Sequence, residues 1–282
     1  MSKPVMITTD STCDLPQEML DRFNFKTVPL HIILGDEEYL DGKNFTPDDI
    51  YARYEKDKML PRTAAVSPQE FTAFFGPIVA EGYEIVHIDI SSDISGTYQN
   101  AVIASGDFEG ISPIDGRHLS TGTSQLVLAA CRMRDAGMDA ASIAEAVKAL
   151  IPKVNTSFVL DTLEYMWKGG RCTGVTAFGA NLLNLKPCLE MREGKLEVCK
   201  KYRGNIFKVY EKYIAERLEG LTADPHAFFV TSSLDLPQEV KDKLETIIRS
   251  KVNVDEICFY RTGCTVTSHC GPGTMGILFL EA

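Results

Sequence analysis

Across the first 150 residues, short runs of apolar and β-branched residues alternate with segments that open on helix-start signals. The runs at 5–9, 27–34, 85–90 and 111–114 read as strands. Asp14-Leu15-Pro16-Gln17, Thr46-Pro47 and Ser67-Pro68-Gln69-Glu70 each combine a capping side chain with an early proline. Proline lacks only the N–H that a first helical turn leaves unbonded, so a helix is predicted after each. Further helices are predicted as a short one following the turn at 91–100, and at 124–134 and 140–150. Strands separated by helices imply a mostly parallel sheet covered on both faces. The rhythm then changes. Stretches 186–191 and 195–202 flank Arg192-Glu193-Gly194 and read as a β-hairpin. Helices at 205–218 and 237–249 and strands at 227–231, 256–260 and 275–280 complete an α+β pattern. The α/β chain is therefore expected to divide into an N-terminal α/β domain, 1–155, and a C-terminal α+β domain, 156–282.

Composition narrows the function. With 282 residues, 44% hydrophobic and 24% charged, the chain has the makeup of an ordinary globule with ample core. A net charge of -10 opposes binding to nucleic acid or to an anionic membrane surface. Met1-Ser2-Lys3-Pro4 passes directly into a strand-like run without the apolar stretch of an export signal, and no run of about 18 apolar residues occurs. A cytoplasmic protein without integral membrane association is expected. The eight cysteines are scattered, with no C-x-x-C, and read as free thiols. Cys264, His269 and Cys270 have metal-ligand chemistry but no second half of a zinc site, so neither a metal nor a cofactor is expected. The sequon Asn44-Phe45-Thr46 has no use inside a cell.

Several enzyme signatures fail on their context. Gly271-Pro272-Gly273-Thr274-Met275-Gly276 satisfies G-x-G-x-x-G but runs into strand-like Ile277-Leu278-Phe279-Leu280, where a dinucleotide site needs a helix. No phosphate-binding P-loop is present. Gly122-Thr123-Ser124-Gln125-Leu126 lacks the final glycine of a nucleophile elbow. What remains is the turn Ser91-Ser92-Asp93-Ile94-Ser95-Gly96-Thr97, which carries hydroxyls from a strand to a helix start. Such a turn is either an ordinary cap or a site for a small anion such as a carboxylate.

Asp10-Ser11-Thr12-Cys13-Asp14-Leu15-Pro16, Ser92 through Ala101, Gly169-Gly170-Arg171, Lys186-Pro187, Lys201-Tyr202-Arg203 and His269-Cys270-Gly271-Pro272-Gly273 together resemble the signature blocks of the DegV family, in that family's order and over nearly the whole chain. The resemblance implies a bacterial fatty-acid-binding protein with a two-domain fold and the ligand between the halves. It further implies the role of acyl-carrying subunit beside a separate ATP-binding fatty-acid kinase. On that resemblance Ser95 and Thr63 would donate hydroxyls to a long-chain fatty acid's carboxylate, and His269 would sit beside the same head group. Arg171 and Arg203 would receive the kinase or the acyl phosphate. Catalysis would belong to the partner. Where the family usually reads Thr-Ser-Gln-Pro-Ser, this chain has Thr63-Ala64-Ala65-Val66-Ser67, so the middle of that segment is apolar. Phe178, Leu182, Leu183 and Leu185 form an apolar stripe that would serve either as core or as tunnel wall. Two other readings stay open: a lipid or small carboxylic-ester hydrolase, and a carrier of a different amphiphile that works without a kinase.

Overall fold

A computed structural model describes residues 3–172 and 185–282 of the chain. Phe178, Leu182 and Leu183 lie outside the described residues. The first sheet contains β1 (Val5–Asp10), β2 (Phe25–Val28), β6 (Glu84–Asp89) and β7 (Ile111–Asp115), all parallel, in the order β2-β1-β6-β7. Parallel strands must be covered on both faces, which is why β1 is buried at every position. On one face Met6, Val28 and Ile85 pack against Phe71 and Phe75 of α3 (Pro68–Ala80) and Ala101 of α4 (Thr97–Ser105). On the other, Val5, Ile7, Val86 and Ile88 meet Met19 of α1 (Gln17–Phe23), Leu126 of α5 (Thr121–Asp135) and Ile143 of α6 (Ala140–Leu150).

The run expected as one strand at 27–34 is two. Pro29 has no N–H for a ladder, so β2 stops at Val28 and the chain leaves the parallel sheet. It re-forms as β3 (His31–Leu34), which pairs antiparallel with β4 (Glu37–Leu40) and β5 (Arg62–Ala64) in a small sheet. The predicted starts of α2 (Pro47–Asp57) and α3 are present as complete capping boxes at Thr46 and Ser67.

The second large sheet has the order β10-β9-β8-β13-β11-β12 and is antiparallel except for β11 with β12. Its strands are β8 (Val154–Val159), β9 (Leu185–Arg192), β10 (Lys195–Arg203), β11 (Ala223–Ser232), β12 (Ile257–Arg261) and β13 (Met275–Glu281). The short α7 (Glu164–Gly169) follows β8; α8 (Ile206–Arg217) and α9 (Gln238–Lys251) cover the sheet's outer face, and α10 (Cys264–Cys270) precedes β13. Neither β5, β8, α7 nor α10 was expected from the hydrophobic pattern.

Helix α5 joins the two sheets. Thr121 through Cys131 are all buried, because α5 packs on Ile7 and Val86 of the first sheet and on Phe229 and Leu278 of the second. Gly122 permits that closeness, since a Cβ there would lie 2.1 Å from Thr156 Oγ1. The two halves consequently share one apolar layer.

Candidate functional site

Beyond the carboxyl ends of β6 and β7 the chain encloses a cavity of about 220 Å³. Open α/β sheets place their ligand crevices at this end. Both halves supply its walls: Ile90, Ile94 and Leu119 from the first, Phe158, Met166 and Leu196 from the second. Thr63, Ser95, Arg171 and His269 also line it. The four are neighbours. His269 bonds Thr63, Arg171 bonds the carbonyl of Gly169 beside the imidazole, and Ala65 Cβ lies 4.0 Å from where a Cβ on Gly96 would stand.

Helix α10, which carries His269, is held at its start by carboxylates distant in sequence. Asp41, almost fully buried, accepts from Cys264 N at 2.7 Å, Thr265 N at 3.2 Å and Ser11 Oγ at 3.1 Å. Asp14 accepts from Gly263 N at 2.8 Å and Ser120 Oγ at 2.5 Å. These bonds satisfy donors that a helix start leaves open. A Cβ at Gly263 would meet Asp14 Oδ1 at 2.9 Å, so a larger residue there would displace the carboxyl that caps the helix. Burial pushes the Asp14 carboxyl well above the usual carboxylate range.

At the far end of α10, His269 Nε2 lies 2.8 Å from Thr63 Oγ1 on β5. Burial, helped by the Arg171 charge, holds the imidazole down to about 4, so it is neutral at neutral pH. With the proton on Nε2, the ring donates to Thr63 Oγ1 and leaves the Thr63 hydroxyl hydrogen for a group in the cavity. Ser95 repeats the arrangement. Its Oγ lies 2.8 Å from the buried Thr97 Oγ1 and accepts from Thr97 N at 3.3 Å, so its own hydrogen is free to be donated inward when Thr97 donates to it.

The two glycines before Arg171 serve different ends. A Cβ at Gly169 would stand 2.3 Å from His269 Nδ1, so Gly169 makes room for the imidazole. Gly170, at φ +67°, ends α7 in the left-handed conformation. Arg171 is exposed and donates from Nη1 to the Gly169 carbonyl oxygen at 2.7 Å while reaching the cavity wall. Arg203 is not brought to this place: it ends β10, exposed, opposite Leu185, and is not part of the lining. Ala64 and Ala65 line the cavity, whereas Val66 is fully buried against Phe71 and Phe75. The apolar middle of that segment thus divides between wall and core. Sequence reasoning missed Asp14 and Asp41 as supports of α10, and missed the lining residue Thr265, whose buried Oγ1 has no partner among the described residues.

Among the described residues no serine hydroxyl bonds a histidine. Ser124 is fully buried inside α5 and donates to the Cys13 carbonyl at 2.5 Å, Ser95 pairs with Thr97, and His269 with Thr63. Among the described residues no group of three or more His, Cys, Asp or Glu is placed to hold a metal, and no helix is long and apolar enough to cross a membrane.

Comparison with known proteins bears on the chain as a whole. The sequence profile of the DegV family, described as uncharacterised protein, matches residues 4–282. A DegV domain-containing protein of Caldanaerobacter subterraneus subsp. tengcongensis is 31% identical over 283 residues, covering 98% of this chain and 99% of the relative. Among solved structures, a DegV family protein from Thermus thermophilus, described by its fatty acid binding, superposes with a TM-score of 0.88 at 29% identity over 100% of both chains. A Thermotoga maritima protein described as revealing fatty acid binding function shares the fold at TM-score 0.85 and 24% identity, again over 100% of both chains.

Proposed function

Because the chain belongs to the DegV family, we propose that it binds a long-chain fatty acid in the cavity between its halves, 1–155 and 156–282, and presents the carboxylate to a separate ATP-binding kinase for conversion to an acyl phosphate. The observation that carries this reading is the pairing of an apolar cavity with hydroxyls at Thr63 and Ser95 that are already bonded from behind, by His269 and Thr97. A hydroxyl that accepts one bond donates a stronger one, and two such donors pair a carboxylate without burying a cation. Each buried methylene of a ligand contributes about 0.8 kcal/mol, so a tail of about sixteen carbons supplies most of the affinity and the head needs only to be paired. Fatty acid binding by the Thermus thermophilus relative supports the same ligand class.

Arg171 and Arg203 would act toward the partner. Arg171 stands exposed at the cavity wall beside the proposed head group, where a guanidinium pairs a phosphoryl group through two donors. Arg203, away from the cavity on an edge strand, suits docking. The chain itself needs no cofactor for this role, and work beside an ATP-dependent kinase places it in the cytoplasm. Thermal unfolding of lipid-free protein tests the ligand class. Palmitate or oleate should raise the melting temperature, and the methyl ester, which cannot accept as a carboxylate, should raise it much less. Equal shifts from acid and ester would remove the proposed head-group site, and no shift from either would remove the lipid reading.

A further inference from the structure

Away from the cavity, the hairpin of β9 and β10 carries two thiols that fit each other chemically. The ladder shifts between Val198 and Lys200: Val198 pairs with Leu189 and Lys200 with Cys188, which leaves Cys199 as the extra residue of a bulge. In such a bulge two residues oppose one, and the one here is Cys188. Cys199 Sγ lies 3.4 Å from the Cys188 carbonyl oxygen, and the two thiols are close enough to shift each other's ionisation. Cys188 is buried and Cys199 exposed on the edge strand of the sheet. An edge bulge is a common guard against strand addition, which explains the bulge but not a cysteine on each side of it.

The pair is also polarised. The neighbouring Cys188 thiol, with the Arg217 charge nearby, holds the Cys199 thiol below its usual range. The neighbouring Cys199 and burial push Cys188 far above it. Accessibility and thiolate character therefore fall on one sulfur, with a second sulfur next to it.

We propose that Cys199 and Cys188 form a peroxide-responsive thiol pair that closes to a disulfide across the hairpin. The Cys199 thiolate attacks one oxygen of a hydroperoxide; an S–O bond forms as the O–O bond breaks, and the departing oxygen takes a proton, leaving as water or an alcohol. Cys188 sulfur then attacks the sulfenic sulfur of Cys199. The S–S bond forms, the S–O bond breaks, and hydroxide leaves with the Cys188 proton as water. Two thiols lose two electrons and one peroxide gains them. Excess thiol reverses the change by exchange at the exposed Cys199 sulfur.

The test uses the reduced full-length protein and hydrogen peroxide, read by intact mass and tryptic mapping. Cleavage after Arg192 and Lys195 puts the two cysteines on separate peptides, so a bond between them is visible as a linked pair. The expected result is a loss of about 2 Da, the Cys188–Cys199 linked pair, and full recovery on dithiothreitol. Cys258 is an internal comparator: it is partly exposed, but burial and Glu256 push its thiol up to about 11, and it should react about tenfold more slowly or less. Cys188→Ala should stop at a dimedone-trapped sulfenic acid on Cys199. Cys199→Ser, at an exposed position, should abolish the loss of mass and serves if Cys188→Ala does not fold. The proposal is overturned if Cys199 stays reduced while Cys258 reacts, if the disulfide joins other cysteines, or if Cys199 goes on to the sulfinic acid with Cys188 still free.

Discussion

Replacing Gly169 with alanine perturbs the candidate site through a single added carbon. That carbon would stand 2.3 Å from His269 Nδ1 and 3.2 Å from its Cε1, while carbon-sized atoms rest near 3.5 Å or more. Relief requires the ring to retreat by about 1 Å. The 2.8 Å bond to Thr63 Oγ1 would then stretch beyond hydrogen-bonding range. Overpacking costs about 1–3 kcal/mol and the lost bond about 1 kcal/mol, so Gly169→Ala should be about 2–4 kcal/mol less stable. Without its donor from behind, Thr63 binds the carboxylate less well, and affinity should fall about tenfold. Gly170→Ala is the control. It too meets strain, at φ +67°, costing about 1 kcal/mol, but a Cβ there has open space and moves nothing in the site. Chemical denaturation gives the stability and displacement of a fluorescent fatty acid gives the affinity. Proton NMR of the five histidines follows His269, held down to about 4 in the wild type, whose titration should change when the ring is displaced in Gly169→Ala. Unchanged affinity and unchanged His269 titration in Gly169→Ala would refute the coupling of Gly169, His269 and Thr63.

Three other outcomes follow from the same geometry. Ser95→Ala should weaken fatty-acid retention by about 1–3 kcal/mol without creating or removing ester hydrolysis; robust hydrolysis by the wild type that vanishes in the variant would make Ser95 a nucleophile instead. Because the folded pKa of His269 lies below its unfolded value, the unfolded chain binds the extra proton first as pH falls. This residue's contribution is therefore intact above about pH 6.5 and is lost toward pH 4, at most about 3 kcal/mol, so a His269→Asn variant should show a flatter stability-against-pH curve over that window. A slope in the variant as steep as the wild type's would place the acid sensitivity elsewhere. Arg171→Ala and Arg203→Ala should retain bound fatty acid yet lose about 2–4 kcal/mol of transition-state stabilisation in acyl phosphate formation with a cognate kinase; lipid lost in parallel would make these arginines holders of the ligand, and unchanged turnover would make them plain surface charges.

What could be read in the chain beforehand depended on how locally each element is determined. The β1 and β6 runs and the capped starts of α2 and α3 carry their own signals, and the structure has them where the pattern puts them. The helix α10 carries none. Cys264–Cys270 is rich in threonine and cysteine, poor helix formers, and its start is stabilised by Asp41 and Asp14, 223 and 249 residues away. Thr63 lies on β5, a three-residue strand too short for period-two alternation to register. Thr63, Ser95, Arg171 and His269 came together only through the family resemblance, since nothing local to any of them indicates the others. The purpose of Gly169 was legible only in three dimensions, because the ring it accommodates lies 100 positions further along the chain.

The central claim is that the cavity holds a long-chain fatty acid by its tail and pairs its carboxylate at Thr63 and Ser95. Native mass spectrometry of the freshly purified chain, followed by solvent extraction and identification of what is released, tests it most directly. One long-chain fatty acid per chain is predicted in the wild type, with occupancy falling in a Thr63→Val, Ser95→Ala double variant that keeps the wild-type fold. Wild-type protein that carries no acyl chain and takes up neither oleate nor palmitate would contradict the claim, as would a double variant that retains the lipid in full.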